Sequence, residues 1–203
     1  VYLRTIYETA SSYYLPILSA AKGREEVSHR ISEAIRLYMI VLLPFIVCIM
    51  TLGPTVIQIL FTRDFAHAGL LLLALLVGDI FRVASETISL GYLATSRLKA
   101  YALSFFGWAC IYLGTASTLI RDFGAAGAAL SYLLSHSVYF MIHILLSRKL
   151  IGFKLSGATA RIFFGTLANC SVVALVMFLI PSFLSRAICL VASGCIWWVI
   201  ARN

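Results

Sequence analysis

A polytopic bundle of transmembrane α-helices is the fold class this sequence predicts, on three observations. Of the 203 residues, 62% are hydrophobic and only 12% are charged, where a soluble domain of this size carries about 25% charge. Apolar runs of roughly 20 residues, the length that crosses a bilayer, recur along the whole chain. The basic residues alternate in density from one connection to the next, as topology-setting charges do. The net charge of +8 is therefore a topology signal, and no nucleic-acid partner is expected.

The elements follow in order. A first, partial helix covers about 1–20, with Pro16 near its end, and reads as a helix entered partway, so a longer parent chain is expected. KGREEVSHR follows as a polar loop. A second helix covers about 35–61 and bends at Pro44 or Pro54, because proline removes a backbone hydrogen bond. TRDFAH is a short turn. The third helix covers about 68–94 and ends at TSRLK, and the fourth covers about 100–120 before an RDFG turn. A fifth at about 125–147 leads into the loop RKLIGFKLSGATAR. The sixth covers about 162–180 and stops at Pro181, and the seventh covers about 187–200. The count is six full spans plus the partial N-terminal helix.

Orientation comes from the basic residues. One set of ends holds Lys22, Arg24, Arg30, Arg97, Lys99, Arg148, Lys149, Lys154, Arg161 and Arg202, and the other holds Arg63, Arg121 and Arg186. Ten against three assigns the loops at 21–31, 95–99 and 148–161 to the cytoplasmic side.

The third helix breaks the apolar pattern with VGDIFRVASETISLGY. At 100° per residue, Asp79, Arg82, Glu86 and Ser89 fall within an arc of about 80°. Glu86 lies roughly 12 Å from one end of the span and Asp79 roughly 18 Å from the other, at 1.5 Å per residue. Charges this deep cost about 2.5–3.5 kcal/mol each on insertion scales, so they face the bundle interior or a wet cavity. Arg82 is spaced to pair with Asp79 at i−3 and Glu86 at i+4. Two readings stand: a self-neutralised cluster that pins neighbouring helices, or the charged wall of a central aqueous cavity.

A second stripe lies on the fifth helix, where Tyr132, His136, Tyr139 and His143 share an arc of about 60°. Packing and a solvated face both fit it. On the first helix Arg4 and Glu8 form an i, i+4 pair beside Tyr7 and Ser11, fitting either interfacial anchoring or the same cavity. Asn169 reads as a helix–helix hydrogen bond. Gly124 with Ala128, and Gly127 with Ser131, give small residues at four-residue spacing, which lets helices approach closely. The five cysteines stand inside apolar segments without CxxC or Cys/His pairing and read as small packing residues. HExxH, Walker and GxSxG patterns do not occur, so neither a metal site nor a catalytic nucleophile is expected.

The succession of YLPILSAAKG, a helix with a mid-span LLP, and LGPTVIQILFTRDF resembles the C-terminal lobe of the multidrug/oligosaccharidyl-lipid/polysaccharide exporter superfamily. VGDIFRVASETISLGYLATSR, then a helix, then RDFGAAGAALSYLLSHSVYF, is similar to the Wzx-type O-antigen flippases in particular. The resemblance runs from about Tyr13 to Phe153. It implies that residues 1–153 are the C-terminal lobe of a two-lobed transporter and that 154–203 add two further transmembrane helices.

The resemblance implies alternating access around a central cavity and a cargo of undecaprenyl-pyrophosphate-linked oligosaccharide crossing the bacterial inner membrane. Polysaccharide polymerase or assembly proteins would be partners. No enzyme activity and no cofactor are implied, with proton or sodium coupling left open. Arg82 and Arg4 would meet the anionic cargo, and Asp79 and Glu86 would hold Arg82 or take up the coupling ion. Two alternatives are a multidrug/cation antiporter of the same superfamily, with Asp79 or Glu86 as ion site, and a membrane-embedded polysaccharide-assembly enzyme. The short loops disfavour the latter.

Overall fold

In a computed structural model the backbone is described for residues 2–60, 66–180 and 182–202, and side chains within these ranges except those of 2–10, 58, 60, 66, 67 and 70. Seven helices make up the described chain: α1 (Tyr2–Ser19), α2 (Arg24–Leu60), α3 (Ala66–Ala94), α4 (Leu98–Phe123), α5 (Ala125–Leu150), α6 (Gly157–Leu179) and α7 (Phe183–Arg202). Five of them, α2 and α4 to α7, are long and apolar enough to cross a membrane. α3 is as long as these, with 29 residues, but carries Asp79, Arg82 and Glu86. The protein is a multi-pass helical membrane protein.

α3 is the central helix and packs against α1, α2, α4, α5 and α6. α2 runs beside it and also meets α6 and α7. Ile35, Met39, Leu43, Ile46 and Met50 of α2, with Ile80, Ala84 and Ile88 of α3, form the fully buried centre. Rings from three helices close the core: Phe140 of α5 stacks on Phe163 of α6 at 4.7 Å, and Phe81 of α3 lies 5.9 Å from each. The perimeter is apolar: Phe45, Leu103, Phe106, Met141, Phe164 and Phe178 are exposed. That pattern suits hydrocarbon rather than water. Several buried hydroxyls satisfy themselves on their own helix, as when Thr51 donates to Val47 O at 2.8 Å and Thr87 to Val83 O at 2.7 Å.

Helix boundaries differ from the sequence expectation at several points. The polar loop KGREEVSHR is mostly helix, because α2 begins at Arg24. Val27, Ile31, Ala34 and Ile35 recur at helical spacing and are buried. Glu25 and Glu26 occupy the first turn, where negative charge is favourable. On the outer face Arg30 pairs with Glu33 at 3.2 Å and Glu26 at 3.9 Å. The RDFG turn shrinks to Gly124 alone, since Arg121 to Phe123 remain in α4. Likewise α6 starts at Gly157, capped by Ser156, whose Oγ accepts from Thr159 N at 3.1 Å. Most of TRDFAH lies outside the described residues.

The two expected small-residue pairs serve different purposes. A Cβ on Gly127 would stand 1.9 Å from the Leu119 carbonyl oxygen, so that glycine sets the α4–α5 approach. Gly124 meets nothing and instead makes the turn at φ +57°, in the region that favours glycine. Of the cysteines, Cys170 and Cys189 are packed inside, whereas Cys48, Cys110 and Cys195 are exposed, which corrects a uniform packing role. Asn169 does link helices: its Oδ1 accepts from Ser193 Oγ at 2.9 Å.

α2 remains helical through Pro44 and Pro54. Proline at 44 has no N–H to give the carbonyl of Ile40. That carbonyl accepts the Trp197 indole N–H of α7 at 2.8 Å instead, the kind of replacement a bilayer requires. Trp197→Phe is therefore expected to lower stability by about 1–3 kcal/mol. Adding Pro44→Ala should recover part of the loss by restoring the N–H, read as the melting temperature of the detergent-solubilised protein.

Candidate functional site

α3 and α5 lie side by side, and their two polar stripes face one another. Arg82 Nε donates to Glu86 Oε1 at 2.9 Å, and Arg82 Nη1 is 3.9 Å from Asp79 Oδ1. The two pairs anticipated from i−3 and i+4 spacing are thus present. Tyr132 of α5 completes the group: its hydroxyl donates to Asp79 Oδ1 at 2.5 Å and accepts from Arg82 Nη1 at 3.4 Å. Close approach is possible here because Gly78 has no Cβ, which would stand 2.8 Å from the Tyr132 ring. The side chains of Asp79, Arg82 and Glu86 are only 19–26% exposed.

Arg82 Nη2 has no protein partner among the described residues. Arginine offers five N–H donors in a planar fork, and two of its nitrogens account for the contacts above. The guanidinium is fixed by its neighbours yet keeps donors for a further acceptor.

This wall bounds a cavity of about 540 Å³ lined by Arg82, Glu86, Ser89, Leu90, Tyr132, His136 and Tyr139, with Ser11 of α1 and Tyr101, Phe105 and Trp108 of α4. Ser89 is 3% exposed and donates to Glu86 O at 2.7 Å, so its hydroxyl is committed to its own helix. His136 is wedged between Trp108, at 5.2 Å, and Tyr132, at 4.4 Å. Neither ring nitrogen of His136 nor the Trp108 indole N–H has a hydrogen-bond partner among the described residues. Buried polar atoms in this condition meet water or a ligand in the working protein.

Two anticipated residues stand apart from the cavity lining. Asp79 is behind it, held by Tyr132 and Arg82. His143 is fully buried, stacked on Tyr92 at 5.5 Å and edge-on to Tyr139 at 4.2 Å, one turn too far along α5. Its expected place on a solvated face is corrected to one inside the α3–α5 packing. The side chains of Arg4 and Glu8 lie outside the described residues.

Sequence reasoning missed the contribution of α4. Tyr101, Phe105, Trp108 and Tyr112 recur at i, i+4, i+7 and i+11, a helical ladder with successive centroids 5.7–6.0 Å apart. The period was visible in the sequence. What distinguishes this face from lipid-facing Leu103 and Phe106 is the pair of polar handles on tyrosine and tryptophan.

No protein-family model matches the chain. It is similar to the lipid III flippase of Escherichia coli (strain K12), 25% identical over 141 residues that make up 70% of this chain and 34% of that protein. The lipid III flippase of Shigella flexneri matches to the same extent. The chain thus spans about a third of the length of these curated relatives. Among solved structures it resembles the lipid II flippase MurJ in an inward closed conformation, with a TM-score of 0.69 and 17% identity, over 94% of this chain and 41% of that one. This second likeness is one of fold.

The Tyr132 hydroxyl bridges an acid and a base across two helices, so Tyr132→Phe should cost about 1–3 kcal/mol by stranding a partly buried carboxylate. A double-mutant cycle with Asp79→Asn, followed by thermal melting, is expected to give a coupling of at least about 0.5 kcal/mol. Additive losses would mean that the contact does not hold α3 to α5.

Proposed function

We propose that this chain forms one lobe of a transporter that moves a lipid-linked oligosaccharide across the bacterial inner membrane. The observation that carries the reading is the cavity wall at mid-span: an anchored arginine with donors to spare, beside a histidine and an indole N–H, all without further partners among the described residues. In this reading residues 1–153 build the C-terminal lobe and 154–203 add two further helices. The loops around 21–31, 95–99 and 148–161 face the cytoplasm, as the basic residues suggest. An upstream lobe supplies the opposite wall, and the two alternate in access.

The wall residues divide the work. Arg82 presents N–H donors to the anionic pyrophosphate or to acidic sugars, a task suited to a planar fork. Asp79 and Glu86 orient Arg82 and offset its charge, which lowers the cost of its burial. Tyr101, Trp108 and Tyr139 present amphipathic ring faces to the glycan, and Ser89 and His136 extend the polar lining. Transport without bond-making needs no catalytic group. The resemblance to Wzx-type flippases suggests an O-antigen repeat unit on undecaprenyl pyrophosphate as cargo, with polymerase and assembly proteins to receive it, while the curated relatives are lipid III flippases.

A cation antiporter of the same superfamily is the second reading, favoured by two acids on one stripe. Both acids are engaged, Asp79 by Tyr132 and Glu86 by Arg82, which weakens it.

The test uses the full-length protein that contains this chain, expressed in a bacterium lacking its own O-antigen flippase. Wild type is expected to restore the lipopolysaccharide ladder, and Arg82→Ala, at equal membrane level, to reduce it at least tenfold. A ladder restored equally by both would leave the stripe a packing device. A parallel host lacking its lipid III flippase separates the cargoes, since rescue there alone would replace the O-antigen unit by a lipid III-type substrate.

A further inference from the structure

At the end of the bundle where α2 and α6 begin lies a second polar pocket, of about 480 Å³, which the transport reading does not use. Arg24, Arg36 and Lys154 line it together with Glu25, His29 and three serines. Its walls are joined across long sequence separations. Lys154 N donates to Ser28 Oγ at 3.0 Å, and Thr159 Oγ1 donates to the Ser32 carbonyl at 3.3 Å. The connecting loop turns through Gly152 at φ +71° and is anchored by Ile151 and Phe153, both buried. The pocket is therefore built into the fold and is not a chance meeting of surface side chains.

Its charge is unbalanced. Arg30 nearby is neutralised by Glu26 and Glu33, and His29 also faces Glu33 at 3.6 Å. Arg24, Arg36 and Lys154 form no side-chain hydrogen bond or ion pair among the described residues. Three cations face the single carboxylate of Glu25. The pocket also receives the N-terminal end of α6, whose partial positive charge points the same way.

A neighbouring groove indicates which anion fits. Arg36 also lines a groove of about 390 Å³ walled by Ile17, Leu37, Ile40 and Ile162 together with the Arg30–Glu33 ion pair. One arginine thus stands between a cationic pocket and a groove whose other two charges, Arg30 and Glu33, pair with each other and whose remaining wall is largely apolar, at the level where the α2 sequence changes from REEVSHRISEAIR to LYMIVLL. A soluble anion would use only the first compartment. A molecule with a phosphate head and hydrocarbon tail uses both, and basic pockets between helices at a membrane face take such heads.

We propose that this compound site binds an anionic phospholipid of the surrounding bilayer, with its phosphate among Arg24, Arg36 and Lys154 and an acyl chain along Leu37, Ile40 and Ile162. The lipid would clamp the α5–α6 connection to the start of α2. The proposal requires only that the protein is embedded in a membrane and stands whether or not the chain carries oligosaccharide.

The test is native mass spectrometry of the full-length protein in detergent, titrated with dioleoyl-phosphatidylglycerol or dioleoyl-phosphatidylethanolamine. The anionic lipid is expected to be retained preferentially. Arg36→Gln and Lys154→Gln should each weaken its retention about fivefold, the weight of one basic side chain at a lipid surface. Lys99→Gln, exposed and outside the pocket, should leave it unchanged, and excess inorganic phosphate should not displace the lipid. Equal retention of both lipids, unchanged retention by the pocket variants, or an equal loss in Lys99→Gln would overturn the site. Full displacement by inorganic phosphate would overturn the lipid assignment in favour of a soluble anion. Lys154 and Arg24 are exposed, so Arg24→Gln with Lys154→Gln carries the test if Arg36→Gln fails to fold.

Discussion

A guanidinium within a hydrocarbon slab has to be neutralised and hydrogen-bonded where it stands, and the centre of this bundle is arranged around that constraint. Arg82 takes Glu86 from its own helix and Tyr132 from α5, and Tyr132 in turn holds Asp79. The cluster cannot face lipid, so α3 becomes the most enclosed helix, with α1, α2, α4, α5 and α6 around it. Its polar side meets α5 at the cavity. Other faces supply Ile80, Ala84 and Ile88 to the core and Phe81 to the ring cluster with Phe140 and Phe163. Charge placement and core packing are consequently two sides of one helix.

α2 resolves the complementary problem of backbone polarity. A long helix with two prolines loses hydrogen bonds in a solvent that offers no replacements. Trp197 replaces one of them from α7, so the last helix is tied to the second by a hydrogen bond as well as by contact. Beyond the apolar run, the amphipathic first turns of α2 hold the α5–α6 connection through Ser28 and Ser32. The helices after residue 154 are thus fastened to the body at both ends of their sequence.

The sequence was most readable where a period was strict and its residues unusual. Asp79, Arg82, Glu86 and Ser89 stand out because charge at helical spacing in an apolar run has few explanations, and their mutual pairing follows from spacing alone. It was least readable where two opposite environments share one composition. The segment from Arg24 to Arg36 looks like a loop by charge, yet its apolar residues keep the helical period, and only the partner surface on α3 and α6 decides for helix. The rings of α4 look like lipid-facing residues until α5 is seen to bring His136 against Trp108. His143 carries the same letter as His136 and the same stripe, and two helical turns move it from cavity to packing. That difference lies in the neighbour, not in the residue.

The cavity wall holds two acids against one base, so a net positive field is not what would draw an anion to it. Recognition has to come from donor geometry at short range. Glu86 engages Nε and Tyr132 engages Nη1, which fixes the plane of the Arg82 guanidinium and leaves Nη2 for an acceptor. The His136 ring and the Trp108 N–H add polar atoms without a partner among the described residues. A wall without net positive charge but with directed donors recognises an anionic group by contact and not by long-range attraction. In the proposed transport reading that property is useful, because a site that binds too tightly on one side cannot release on the other. The same pairs that make Arg82 tolerable in the membrane would therefore set how weakly it holds what passes.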